Sequence, residues 1–147
     1  MRVEFERQGV DKMLRILVSA PGVAAKALGS ALGNEAEDIM AESVNVYAPF
    51  DLGTLTGNKS AFVDNPVVKG NKVSVEMGYG GDAAAYALAI HEHPSRHSPP
   101  SWEGKEIHWR RAGSGPKYLE KPVLAAEKGF GRRIGADIEA AFKRGFR

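Results

Sequence analysis

All four histidines of this chain, His91, His93, His97 and His108, fall in one stretch, with Glu92 and Glu103 among them. Zinc takes imidazole nitrogens and carboxylate oxygens in a tetrahedral site, so the cluster first raises a metal reading. The spacing is not the helical His-Glu-x-x-His arrangement that sets two imidazoles on one face. Segments rich in Pro and Ser often carry histidines without a metal, and the expectation is no resident metal and no cofactor. Ser95, Ser98 and Ser101 lie beside the same histidines, which raises the nucleophile, base and orienting acid of a hydrolase. No Gly-x-Ser-x-Gly elbow presents any of them. The chain is therefore read as not an enzyme, with no small-molecule substrate.

Two other stretches carry chemistry-bearing residues. Gly78-Tyr79-Gly80-Gly81 follows a strand pattern and precedes a short helical one. It lacks both the Gly-Lys-Ser/Thr ending of a phosphate loop and the dinucleotide spacing, and reads as a turn. Trp102, Lys105, Trp109, Arg110 and Arg111 form an aromatic and basic patch. Trp and Arg are favoured at the centres of protein interfaces, so a protein-docking surface is the first reading. Stacking of bases with pairing of phosphates is the alternative, and a Trp that merely covers the core is the bland one.

The composition bounds these readings. At 147 residues, 26% charged and 43% hydrophobic, the chain fits one soluble domain with a sizeable core. It has no cysteine, which excludes disulfides and thiolate metal sites. No apolar run approaches a membrane span, and the first residues lack the apolar core of an export signal, so the expected location is the cytoplasm of the producing cell. The net charge of +2 is too small to imply nucleic-acid binding by itself. The distribution is uneven, with Lys128, Arg132, Arg133, Lys143, Arg144 and Arg147 gathered at the C-terminal end. Cations there suit a helix C-terminus and a solvated helix face. An electrostatic contact with DNA, or with an acidic protein surface, is the alternative.

The elements that position these residues follow from periodicity. Residues 1–6 alternate as a short strand. Val10, Met13, Leu14 and Leu17 recur as a short helix ending near Pro21. Ala24, Ala27, Leu28, Ala31, Leu32, Ile39, Met40, Ser43, Val44 and Tyr47 then line one stripe of a long helix from about Val23 to Val46. Glu35, Glu37, Asp38 and Glu42 lie mainly off that stripe. Gly29 and Gly33 cost it about 1 kcal/mol each relative to Ala, and their spacing permits close approach of another backbone, from the chain's own sheet or from a second subunit. Val67, Val68, Val73, Val75 and Met77 predict a β-hairpin turning at Gly70-Asn71. A short helix over 83–90 follows, with Asp82 as its N-cap. A long loop over about 91–116, with a brief strand at Ile107, Trp109 and Arg111, leads to one closing helix from about Lys117 or Pro122 to Arg144. The fold class is α+β: a small, mainly antiparallel sheet packed by the long helix and the C-terminal helix.

Three stretches carry a resemblance. Pro49, Asp51, Gly53, Leu55 and Ser60 form a Pro-x-Asp-x-Gly-x-Leu segment followed by a Ser. Tyr86-Ala87-Leu88-Ala89-Ile90-His91-Glu92 is the second, with Tyr86 and Glu92 as its marks. Lys117-Tyr118-Leu119-Glu120-Lys121-Pro122-Val123-Leu124 is the third, marked by Tyr118, Leu119 and Pro122. In order and spacing they resemble the tail-completion, or head–tail joining, minor structural proteins of long-tailed phages, over roughly residues 20 to 140. The resemblance implies the α+β arrangement above and a non-enzymatic virion protein of the neck or tail, made in the host cytoplasm. It also implies other head–tail connector and tail proteins as partners, and a ring of subunits in the particle. The chain departs from the family in two places. Thr56 stands where an arginine often follows Gly-x-Leu, and the 91–116 loop is long. A nucleic-acid-binding protein using the basic C-terminal helix and the Trp/Arg loop is the rival reading.

Overall fold

The computed structural model describes residues 21–49, 55–57, 60–70, 72–92 and 112–145. The expected strand at 1–6, the helix near 10–20 and the strand at 107–111 lie outside them. The fold is α+β, as the periodicity predicts. In chain order it contains α1 (Pro21–Glu42), a π-helical turn (Ser43–Tyr47), β1 (Ala61–Val63), β2 (Val67–Lys69), β3 (Lys72–Ser74) and β4 (Met77–Tyr79). A 3₁₀ turn (Gly81–Ala83), α2 (Ala84–Glu92), α3 (Glu120–Glu127) and α4 (Phe130–Gly145) follow. None of the described helices is long and apolar enough to cross a membrane.

The boundaries have local causes. Pro21 opens α1; its fixed φ and missing N–H suit a first turn. The regular part of α1 ends at Glu42, four residues short of the expected end, and continues as the π turn. The Ala48 N–H donates to the Ser43 carbonyl at 2.7 Å, closing that wider turn. Ala48 itself is extended, at φ −66° and ψ 137°, as a residue before proline should be. Asp82 is not the expected N-cap. It lies inside the 3₁₀ turn, whose N-cap is Gly80, with no side-chain capping bond. The C-terminal helical stretch is two helices rather than one, because Gly129 stands at φ +76° between them. That conformation ends helices and favours glycine. The apolar stripe runs through the break at helical spacing, which is why periodicity alone reads a single helix.

The contacts divide the chain into two compact units. One draws its described residues from Met1–Ala36, Asp64–Glu76 and Glu127–Arg147, the other from Glu37–Val63 and Met77–Ala126. In the first unit, Ala31 of α1 packs on Ile134 and Ile138 of α4, flanked by Leu28, Leu32, Phe130 and Phe142. Each fully buried Ile contributes about 1.5–3 kcal/mol. Glu35 is buried, against the expectation of an outward face. The Arg133 Nε–H donates to its two carboxylate oxygens at 3.0 and 2.9 Å, and Nη2 pairs with Oε1 as well. The other guanidinium nitrogen of Arg133 donates to the Lys128 carbonyl at 2.8 Å.

The β2–β3 hairpin belongs to the same unit and turns at Gly70. It packs on the glycines of α1. A Cβ on Gly29 would lie 3.0 Å from the Pro66 Cβ and 3.7 Å from a Val73 methyl. The close approach that the glycine spacing permits is thus met by the chain's own hairpin. Between the β1–β4 and β2–β3 ladders the outgoing arm carries Asp64, Asn65 and Pro66 and the returning arm only Val75 and Glu76.

These contacts separate two glycines of similar helical cost. Gly29→Val forces methyls into Pro66 and is expected to destabilise by about 1–3 kcal/mol. Gly33→Ala has only ordinary contact, with its nearest atom at 3.9 Å, and is expected to stabilise by about 0.5–1 kcal/mol through helix propensity. Urea unfolding of the two variants checks both signs.

Candidate functional site

The second unit gathers most of the residues singled out in the sequence. Its core consists of Ala48, Leu55, Ala83, Ala87, Ile90 and Tyr118, with Tyr47, Tyr79 and Leu119 against it. One stretch of the resemblance gives Leu55, the second Ala87 and Ile90, and the third Tyr118 and Leu119. Pro122 is buried in the first turn of α3, where a missing N–H does no harm. Ser60 is buried, and its hydroxyl has no hydrogen-bond partner among the described residues. Pro49 is half-buried, and Tyr86 lies within α2. Asp51 and Gly53 lie outside the described residues.

A relay of hydroxyls runs through this core. The Ser43 hydroxyl donates to the Tyr118 carbonyl at 2.8 Å. Its one proton is thereby committed, so the Tyr79 hydroxyl, 2.8 Å away, donates to Ser43 Oγ. The Tyr118 hydroxyl donates to the Ala87 carbonyl at 2.6 Å. The Tyr118 ring meets Tyr79 and His91 edge-on, with centroids 5.0 Å apart in both pairs. Burial raises the Tyr79 phenol above its ordinary value of 10.0, opposed by its bond with Ser43. The sequence reading missed Ser43 as a hub, placing it among the apolar stripe; a serine on an otherwise apolar stripe was the available signal.

His91, Glu92, Lys117 and Glu120 form the polar cluster of the unit. The Lys117 N–H donates to the His91 carbonyl at 2.9 Å. The Lys117 ammonium donates to Glu92 and pairs with Glu120 at 3.0 Å. The Glu120 N–H donates to His91 Nε2 at 3.4 Å. The imidazole proton therefore sits on Nδ1 and is donated to Glu92 at 2.8 Å. Glu92 is held below its ordinary value, first by the Lys117 hydrogen bond and then by His91, and Lys117 is raised, first by Glu92 and then by Glu120. Lys117 adopts φ +61°, the left-handed region that non-glycine residues seldom enter.

His91, Glu92 and Glu120 bring one donor atom each within 4.8 Å of one another, a set that zinc could use. The cation their carboxylates hold here is the Lys117 ammonium. Of the residues in the zinc reading only His91 and Glu92 are described; His93, His97, Glu103 and His108 lie outside, as do the serines of the hydrolase reading. Trp102, Lys105, Trp109, Arg110 and Arg111 lie outside as well. Gly78 and Tyr79 are paired strand residues of β4 rather than part of the expected turn, and Gly78 and Gly80 lie under the Phe62 ring, where the missing Cβ serves packing. Among the C-terminal cations, Arg133 is committed to Glu35, Lys143 pairs with Glu139 at 3.0 Å, and the Arg144 Nε–H donates to the Ala140 carbonyl at 3.3 Å.

The unit also carries an open groove of about 220 Å³. Met40, Ala41 and Val44 form one wall, Ala61, Phe62 and Val63 the other, with Glu37 and Thr56 on its lining. Comparison of the chain with protein-family models, with curated proteins and with solved structures finds no match.

The two buried serines separate by mutation. Ser43→Ala removes the buried hydrogen bonds to the Tyr118 carbonyl and the Tyr79 hydroxyl and is expected to cost about 1–3 kcal/mol. Ser60→Ala removes an unpartnered hydroxyl and is expected to hold or raise stability. The Tyr79 phenol gives a pH signature as well. The unfolded chain releases this proton from about pH 10 while the native state keeps it. Its contribution is full below pH 10 and is lost as pH rises through the higher native value. Tyr79→Phe should flatten the fall of stability above pH 10, measured by denaturant unfolding at a series of alkaline pH values.

Proposed function

We propose that this chain is a non-enzymatic minor structural protein of a long-tailed phage that completes the tail and joins it to the head. The reading rests on the three stretches that resemble that family in order and spacing. One observation carries it further: Leu55, Ala87, Ile90, Tyr118 and Leu119, drawn from all three stretches, meet in one core. Residues that mark a family by holding its fold together should converge in this way, whereas chance matches would scatter. The protein works by assembly. Each subunit presents one surface to a ring neighbour and another to a connector or tail protein, and a heterologous contact that closes gives the ring. The segment bearing Trp102 and Trp109 is the proposed docking surface for the connector or tail.

Electron microscopy of lysates from a phage whose copy of this gene carries a stop codon tests the reading. Separate full heads and finished tails, restored to particles by supplied protein, are expected. Normal infectious particles would reject it and bring the nucleic-acid-binding alternative forward. Deleting residues 94–114 tests the docking surface. The Lys117 N–H bond to the His91 carbonyl closes the chain at the base of that segment, so the deletion is expected to leave the fold and abolish joining. A folded deletion variant that still yields whole particles would reject the assignment.

A further inference from the structure

The β2–β3 hairpin ends in a combination that its own unit does not satisfy. Val67, on the face of the hairpin that also carries Lys69 and Lys72, is about half exposed, at 47%. Lys69 and Lys72 are directly opposed across the ladder, and like charges in that position are destabilising. Both lysines are exposed. An exposed apolar step beside two juxtaposed cations calls for an apolar surface with carboxylates at its rim.

The same chain carries such a surface in its other unit. The groove between α1 and β1 offers Met40, Val44 and Phe62 as apolar lining, with Glu37 beside them. Asp38 follows Glu37 on the same helix, and both carboxylates are on exposed residues. From Glu35 to Glu42 the α1 sequence has four carboxylates and no lysine or arginine. Among the described residues, Glu35 is the one of the four tied to an arginine, Arg133.

We infer that the hairpin face bearing Val67, Lys69 and Lys72 docks in the α1–β1 groove of a second copy of this chain, with the lysines facing Glu37 and Asp38. Apolar burial supplies the affinity, and opposite charge fixes the orientation and excludes the hairpin-to-hairpin and groove-to-groove pairings. Two different surfaces meet, so each copy keeps one of each free and the contact propagates from subunit to subunit. The contact stands on the charge and apolar match alone; only its closure into a ring rests on the phage reading.

Sedimentation velocity on the purified full chain, at several protein and salt concentrations, measures the contact. Wild type is expected to self-associate, less so at high salt. The hairpin variant Lys69→Glu/Lys72→Glu and the groove variant Glu37→Lys/Asp38→Lys are each expected to weaken association by about tenfold or more. All four positions are on the surface, and circular dichroism confirms that each variant folds. Mixing the two variants is expected to restore association, because reversed hairpin then faces reversed groove and native faces native. A monomeric wild type, variants that associate like wild type, or a mixture that stays apart would each overturn the inference. None of these outcomes depends on phage particles, so this contact and the neck assignment fail separately.

Discussion

The hydroxyl of Ser43 holds the second unit in register. It is fully buried, gives its proton to the Tyr118 carbonyl and accepts that of Tyr79. Its carbonyl meanwhile closes the π turn through the Ala48 N–H. One residue thus fastens the end of α1 to β4 and to the chain entering α3. A buried polar group left unpaired costs about 1–3 kcal/mol, so none of the three elements can be satisfied in the absence of the others. Apolar contact alone would let them slide; directional bonds at 2.8 Å do not. π turns recur where a helix must place a side chain that regular winding would misdirect, and here the turn carries this hub.

Periodicity made much of the fold legible. The apolar stripe gave α1, the Gly70-Asn71 dipeptide gave the hairpin, and Pro49 gave the extended Ala48. What escaped has a common cause, which is dependence on a distant partner. Glu35 looks solvent-facing on a helical wheel and is buried only because Arg133, 98 residues later, reaches it. Ser43 looks like a minor blemish on a stripe until Tyr79 and Tyr118 arrive, 36 and 75 residues away. The break at Gly129 is a different case. Lys128-Gly129 is a legible helix stop, and the apolar spacing running through it concealed the signal.

The candidate site divides in the same way. The residues that carry the family resemblance are largely interior: Leu55, Ser60 and Tyr118 are each at most 5% exposed. Such residues report how a chain folds, and a buried side chain cannot itself touch a neighbour. Recognition of a partner has to come from surface features such as the opposed lysines of the hairpin or the acidic rim of the groove, which belong to no sequence motif. Sequence resemblance therefore speaks to class, while the surface decides which particular partner is met.

The closure between His91 and Lys117 has a consequence for how such a chain can change over generations. Once the two ends of a segment are pinned by a backbone hydrogen bond and a set of ion pairs, its length is nearly decoupled from the rest of the fold. Doubling the length of a closed segment adds only about 0.6 kcal/mol of closure entropy. Insertions and deletions between these residues are then thermodynamically cheap, whereas one residue gained or lost in β1 or β4 would turn every side chain to the wrong face. Related chains are expected to differ most in the span between His91 and Lys117, where natural variation can retune a contact without first rebuilding a core.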